Sequence, residues 1–181
     1  MDAPTDTTMM ITMIVLRIIH ILSGVAWAGA SFLTPLFLSP TAAALGPEGG
    51  KFMGHLTGKT KFTLYLTLAA LFNVLAGYTM LYIKSNLALS WFLTGEGLGF
   101  GLGAVFGTIA FLIGFFVIRA AIEDMGKVGA AIQQGGGKPT PEQGAAMQKA
   151  QAQLSLGSKI NAVALMLTVI CMAAAAYLPV G

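Results

Sequence analysis

The sequence predicts an all-α fold, a four-helix transmembrane bundle with helices 3 and 4 extended as a cytoplasmic hairpin. Three observations predict it. Of 181 residues, 56% are hydrophobic and only 9% are charged, whereas about a quarter of a soluble domain is charged. Apolar runs near 9–38, 62–83, 98–122 and 159–179 each reach the roughly 20 residues that cross a bilayer. The runs are continuous and do not alternate, which disfavours a membrane β-barrel. The chain reads as a single integral membrane domain over 1–181. No separate soluble domain is visible, and no repeat longer than a helix pair.

The first run follows an acidic N-terminus, MDAPTDTTMM. Ala26-Trp27-Ala28 has the outline of a signal-peptidase site, but a signal peptide wants a basic segment before its apolar stretch. This span is therefore expected to be retained. Pro35 and Pro40 are expected to end it, because proline removes a helix donor. A loop, AAALGPEGG, should follow. The segment KFMGHLTGKTK is expected to lengthen the second helix outside the membrane. Trp91 and Phe92 then mark an interface in the next connection.

The third helix should start near Leu98 and continue past Arg119 to about Gln134, stopped by Gly135-Gly136-Gly137. Thr140-Pro141-Glu142-Gln143 is a helix start, with Thr as cap, Pro at the first position and Gln three after the cap. The fourth helix runs from there to Leu178, with its membrane part after Lys159. Gly99, Gly103 and Gly107 recur at intervals of four, which suits close helix approach. The Gly99-Phe100-Gly101 run lacks the strand–turn–helix setting a nucleotide site needs.

Charge predicts orientation. Lys51, Lys59 and Lys61 lie in the first loop, and Arg119, Lys127, Lys138, Lys149 and Lys159 on the third. The opposite side has Lys84 alone, with Asp2 and Asp6. The positive-inside rule then puts both termini outside and the hairpin tip in the cytoplasm of a multi-pass protein of the cell (inner) membrane. The net charge of +3 reports topology, so no nucleic-acid partner is expected. The expected partners are the lipid bilayer and a homo-oligomer or larger membrane complex. His55, with Lys51, Lys59 and Lys61, is expected to touch lipid phosphates. The single cysteine, Cys171, excludes an internal disulfide and a thiolate cluster. No Ser-His-Asp arrangement or carboxylate pair is present, which argues against hydrolysis.

Specific chemistry is expected on the first helix. Met10, Met13, Arg17, His20, Gly24, Trp27 and Ser31 recur at spacings of three and four and form one stripe. Ionisable groups at membrane depth usually face a bundle interior, a partner or a ligand. Arg17 has no carboxylate within the spans to pair with. A haem would supply both iron for the imidazole of His20 and propionates for Arg17. Cu(I) would instead use thioether and imidazole, drawing on Met10, Met13 and His20. Asn73 in the second span either bonds across helices or supports His20. The same stripe also reads as a plain packing face.

His20-x3-Gly24-x2-Trp27-x-Gly29, followed by Pro35-Leu36-Phe37, resembles the first helix of a superfamily of small four-helix membrane proteins. It includes the copper-resistance D proteins and the HemJ-like protoporphyrinogen oxidases. The HemJ likeness implies a b-type haem and a redox role, with His20 at the matching histidine. The copper-resistance likeness implies copper passage or delivery through His20. The leading expectation is a haem-associated membrane redox protein or subunit, with cofactor contacts at His20, Arg17, Gly24, Trp27 and Asn73. Copper handling through His20, Met13 and Met10 is the alternative. A third reading is a non-catalytic accessory subunit that docks other membrane helices through its glycine face.

Overall fold

The computed structural model describes residues 3–179, with side chains from Thr7 onward. Every regular element among the described residues is helical. In chain order these are α1 (Ala3–Leu33), α2 (Ser39–Ala44), α3 (Pro47–Gly58), α4 (Phe62–Ser85), α5 (Leu89–Phe92), α6 (Gly95–Leu112), α7 (Arg119–Gln134) and α8 (Pro141–Ala175). Two π-helical stretches, Thr34–Leu38 and Ile113–Ile118, join α1 to α2 and α6 to α7 without a break. Four helices are thus long and apolar enough to cross a membrane: Thr7–Ala44, Phe62–Ser85, Gly95–Gln134 and Pro141–Ala175. That is the make-up of a multi-pass membrane protein. Exposed Leu, Ile, Val and Phe side chains dominate its surface, as expected when lipid is the solvent.

The first helix does not end at its prolines. Pro35 sits at the start of the π stretch, and the Ser39 N–H reaches back five residues to the Thr34 carbonyl. A π turn is wider than an α turn, and this one forms the turn before Pro40, where that ring would otherwise crowd the Leu36 carbonyl. The helix then continues to Ala44. The expected loop is also mostly helix. After Leu45, Gly46 turns at φ +57° and α3 begins at Pro47. This helix is separate from α4, so the KFMGHLTGKTK segment does not lengthen the second membrane helix. Lys59–Lys61 break the chain between them, and Phe62 N–H is capped by the Thr60 hydroxyl at 3.1 Å.

The chain forms two compact units. The first holds the residues up to Gly29, Leu68–Phe111 and the chain from Ala164 onward. In it α6 and α8 run antiparallel and close. A Cβ on Gly99 would stand 2.7 Å from the Ala175 Cβ, one on Gly103 2.9 Å from Met172, and one on Gly107 3.5 Å from Thr168. Trp27 is 6% exposed and meets the Phe111 ring edge-on at 6.5 Å. Thr168 and Thr108 return their hydroxyl protons to the carbonyls of Ala164 and Ala104 on their own helices.

The second unit holds Ala30–Thr67 and Leu112–Val163. Here α7 and the first half of α8 run antiparallel. A Cβ on Gly157 would stand 3.1 Å from Val117, and Asp124, Lys127 and Val128 line one hollow with Ala146, Lys149 and Gln153. Gly136 and Gly137, at φ +90° and +82°, make the reversal between the two helices. These conformations are open to glycine and strained for other residues. At the start of α8 the Gln143 N–H donates to the Thr140 hydroxyl at 3.2 Å. The Thr140 N–H donates to the Gln143 side-chain oxygen at 3.0 Å, so the reciprocal capping box is complete.

Candidate functional site

His20 lies in α1 and Asn73 in α4. The His20 Nδ1 stands 2.8 Å from the Asn73 main-chain oxygen. The Asn73 Nδ2 donates to the His20 main-chain oxygen at 2.7 Å. A carbonyl only accepts, so the proton of the neutral ring is on Nδ1. The lone pair is then on Nε2, which is the nitrogen left for a ligand.

Glycine makes this pair fit. A Cβ on Gly24 would stand 2.7 Å from Asn73 Nδ2, and one on Gly77 would stand 2.9 Å from His20 Cε1. Each helix therefore carries a polar residue with glycine four positions later: His20-x3-Gly24 and Asn73-x3-Gly77. Side chains on a helix lean toward its N-terminus. In an antiparallel pair, each polar side chain then falls across the glycine of the opposite helix. The result is a local two-fold arrangement built from one repeated spacing.

The depth of the pair follows from the charges. Phe62 to Ile83, 22 residues between Lys61 and Lys84, carries no charge, a length of about 33 Å. Its midpoint falls between Phe72 and Asn73. On α1, the apolar run opens at Met9, 11 residues before His20, which is half that span at about 16 Å. Both helices place the His20–Asn73 pair at mid-depth. Gly97 to Ile118 is likewise 22 residues without charge, centred on Gly107 and Thr108. Near that level the Tyr78 hydroxyl lies 2.6 Å from Thr108 Oγ1. Thr108 gives its own proton to Ala104, so Tyr78 is the donor. The middle of the first unit is thus one of its more polar cross-sections.

The structure sorts the remaining stripe residues. Trp27 is buried, Gly24 and Ser31 are half-buried, and Met13 is half-buried. Met10 and Arg17 are exposed. Among the described residues Arg17 has no hydrogen bond or ion pair. Met13 precedes His20 by seven residues, a rise of about 10 Å, so the two would be successive stations for a copper ion and not ligands of one ion. Among the described residues no three His, Cys, Asp or Glu side chains group to hold a metal ion. Two surface hollows, about 320 and 180 Å³, lie in the second unit, and neither includes His20. His55 is exposed on α3.

Three features, two of them polar, escape a reading of the sequence. Glu96 is buried at the start of α6, forms an ion pair with Lys84, and its N–H donates to the Pro179 oxygen at 3.1 Å. The Lys84 ammonium also sits 5.0 Å from the centre of the Phe100 ring. Asn161 is 2% exposed, and its Oδ1 has no partner among the described residues. Gly77 is indistinguishable from a packing glycine until its spacing from Asn73 is set beside that of Gly24 from His20.

Outside the spans, the Glu142 carboxyl is held below its ordinary range. Its own backbone N–H at the start of α8 is the larger cause and the Thr140 hydroxyl the smaller.

No protein family, no curated protein and no solved structure matches this chain.

Proposed function

We propose that this chain is a haem-associated membrane redox protein or subunit, in which His20 Nε2 would hold the haem iron. One observation carries the reading: the Nδ1 contact to the Asn73 carbonyl at 2.8 Å. A ligating histidine characteristically gives its other ring N–H to a carbonyl or carboxylate, which fixes tautomer and ring direction and raises ligand basicity. The donor set supports the same choice. A lone imidazole is a poor cage for a bare ion, whereas a haem brings four nitrogen ligands of its own. When bound, that group would supply one-electron transfer. Asn73 orients the ring, Gly24 and Gly77 admit the pair, and Trp27 closes the helix below it against Phe111. The helix-1 likeness to the HemJ-like proteins favours the same reading, whereas the likeness to the copper-resistance D proteins favours copper handling.

The membrane in question is read as the cell membrane. The eight basic residues on the first and third loops put the α7–α8 hairpin in the cytoplasm and both termini outside.

The test is an absorbance spectrum with metal analysis on the purified protein, wild type beside His20→Ala. A Soret band with stoichiometric iron, lost in the variant, is the expected result. No Soret band after haem addition, or a band unchanged in His20→Ala, overturns the reading. Copper in place of iron, lost in the same variant, would replace it with copper handling.

A further inference from the structure

We infer that the exposed side of α1 around Arg17 docks a transmembrane helix of a different protein, one that carries an Asp or Glu inside the hydrocarbon zone about 5–10 Å from mid-depth, on the side toward the α1 N-terminus. The inference stands whether or not His20 binds haem.

Depth comes first. Arg17 precedes His20 by three residues, a rise of about 4.5 Å from mid-depth. Its side chain leans toward the N-terminus of α1 and reaches about 6 Å when extended. That totals roughly 10 Å, against the 16 Å or so that separate mid-depth from the end of the charge-free span. Snorkelling therefore falls several ångström short. The guanidinium ends inside the hydrocarbon zone, where an ionised group is costly and is normally paired.

Exposure comes next. Arg17 does not point into its own bundle. It stands among Met10, Ile14, Ile21 and Val25, which are 55, 50, 52 and 68% exposed. One turn further, a Cβ on Gly29 would meet nothing within 4 Å. These positions run along one side of α1 at helical spacing, open to a neighbour over its length.

Charge then selects the occupant. The chain has seven carboxylates: Asp2, Asp6, Glu48, Glu96, Glu123, Asp124 and Glu142. None lies inside the charge-free runs. Glu96 comes nearest, about 16 Å from mid-depth by helical rise, and is already paired with Lys84. A second copy of this chain thus has no anion to offer at the level of Arg17. The complement must come from another chain, whose buried acid has the same need for a partner. A pair of this kind fixes register as well as attraction.

The probe is a 22-residue poly-leucine helix with one Glu about five residues from its centre, and its Gln counterpart, mixed with the full-length protein in phosphatidylcholine vesicles. Association is read by energy transfer. The Glu peptide is expected to bind on the order of tenfold better than the Gln peptide. The preference should vanish in Arg17→Gln and persist in Arg17→Lys. Equal binding of the two peptides overturns the proposal, as does a preference that survives Arg17→Gln. Haem affinity that falls in Arg17→Gln with no peptide preference would also overturn it and assign Arg17 to a propionate. The His20→Ala spectrum reads the haem proposal separately, because that variant leaves the Arg17 preference in place.

Discussion

His20 and Asn73 each give a side-chain N–H to the other's main-chain carbonyl, at 2.8 and 2.7 Å. The exchange is symmetric in form and unequal in chemistry. The amide offers no basic nitrogen, while the imidazole keeps one. Interhelical hydrogen bonds in bilayers average about 0.6 kcal/mol each, so the pair contributes about 1 kcal/mol. Its larger effect is to hold one ring in one tautomer.

Gly77→Ala should be the most informative single-methyl change. The added carbon would stand 2.9 Å from His20 Cε1, and the ring would have to leave its carbonyl. A loss of about 1–3 kcal/mol is expected, as for other overpacked sites. Gly29→Ala adds the same methyl into open space and should change stability by less than about 0.5 kcal/mol. Unfolding of both variants in mixed detergent micelles checks the contrast.

The Lys84–Glu96 pair is half exposed on one side and nearly buried on the other, 41% and 12%. Removing one partner should therefore cost less than the full penalty of a buried pair. Glu96→Gln is expected to destabilise by about 1–3 kcal/mol. In a double-mutant cycle with Lys84→Met, most of that should appear as coupling. A coupling near zero would show that the cost comes from Glu96's backbone surroundings and not from the ion pair.

The α6–α8 contact should tolerate no bulk at Gly99. A Cβ there would stand 2.7 Å from the Ala175 Cβ, with the Ala175 main chain at 2.9 Å, so neither neighbour is the tip of a flexible chain. Gly99→Leu is expected to abolish the folded state in detergent, as seen by protease resistance. Gly114→Leu, whose Cβ meets nothing within 4 Å, should remain folded.

Thr140→Ala removes one half of the capping box and should cost about 1 kcal/mol. The start of α8 is also pH-dependent. The folded state favours ionised Glu142, so its contribution is complete above the ordinary carboxylate value of 4.5 and is lost as pH falls through the lower folded value. Protease nicking at the glycine turn, followed from pH 6 down to pH 3, should rise in that lower range. The rise should be smaller in Glu142→Gln.

The helices were legible because lipid imposes a composition that no soluble fold shares. The α8 start was legible for a similar reason, since Thr140 and Gln143 have one common use at that spacing. The expected stop at the prolines fails because the turn before Pro40 is a π turn that has room for its ring, and no sequence rule announces that option. The AAALGPEGG segment is expected as a loop and is mostly helix, because Pro47 stands at the first helical position, where proline also starts a helix. His20 and Asn73 were both visible as polar groups in apolar runs. Their partnership was not, because pairing across two helices depends on rotation and level. Glu96 was passed over as a loop residue because it stands one position outside the charge-free run that defines the span.

The two π stretches have an evolutionary and engineering reading. Each is, in effect, one surplus residue stored inside a continuous helix. A single-residue deletion within 34–38 or 113–118 should convert the wide turn to an ordinary one and leave the helix unbroken. The same deletion between His20 and Gly24 would rotate everything beyond it by about 100° and part the ring from its carbonyl. Tolerance to lost residues should therefore be concentrated at these two places.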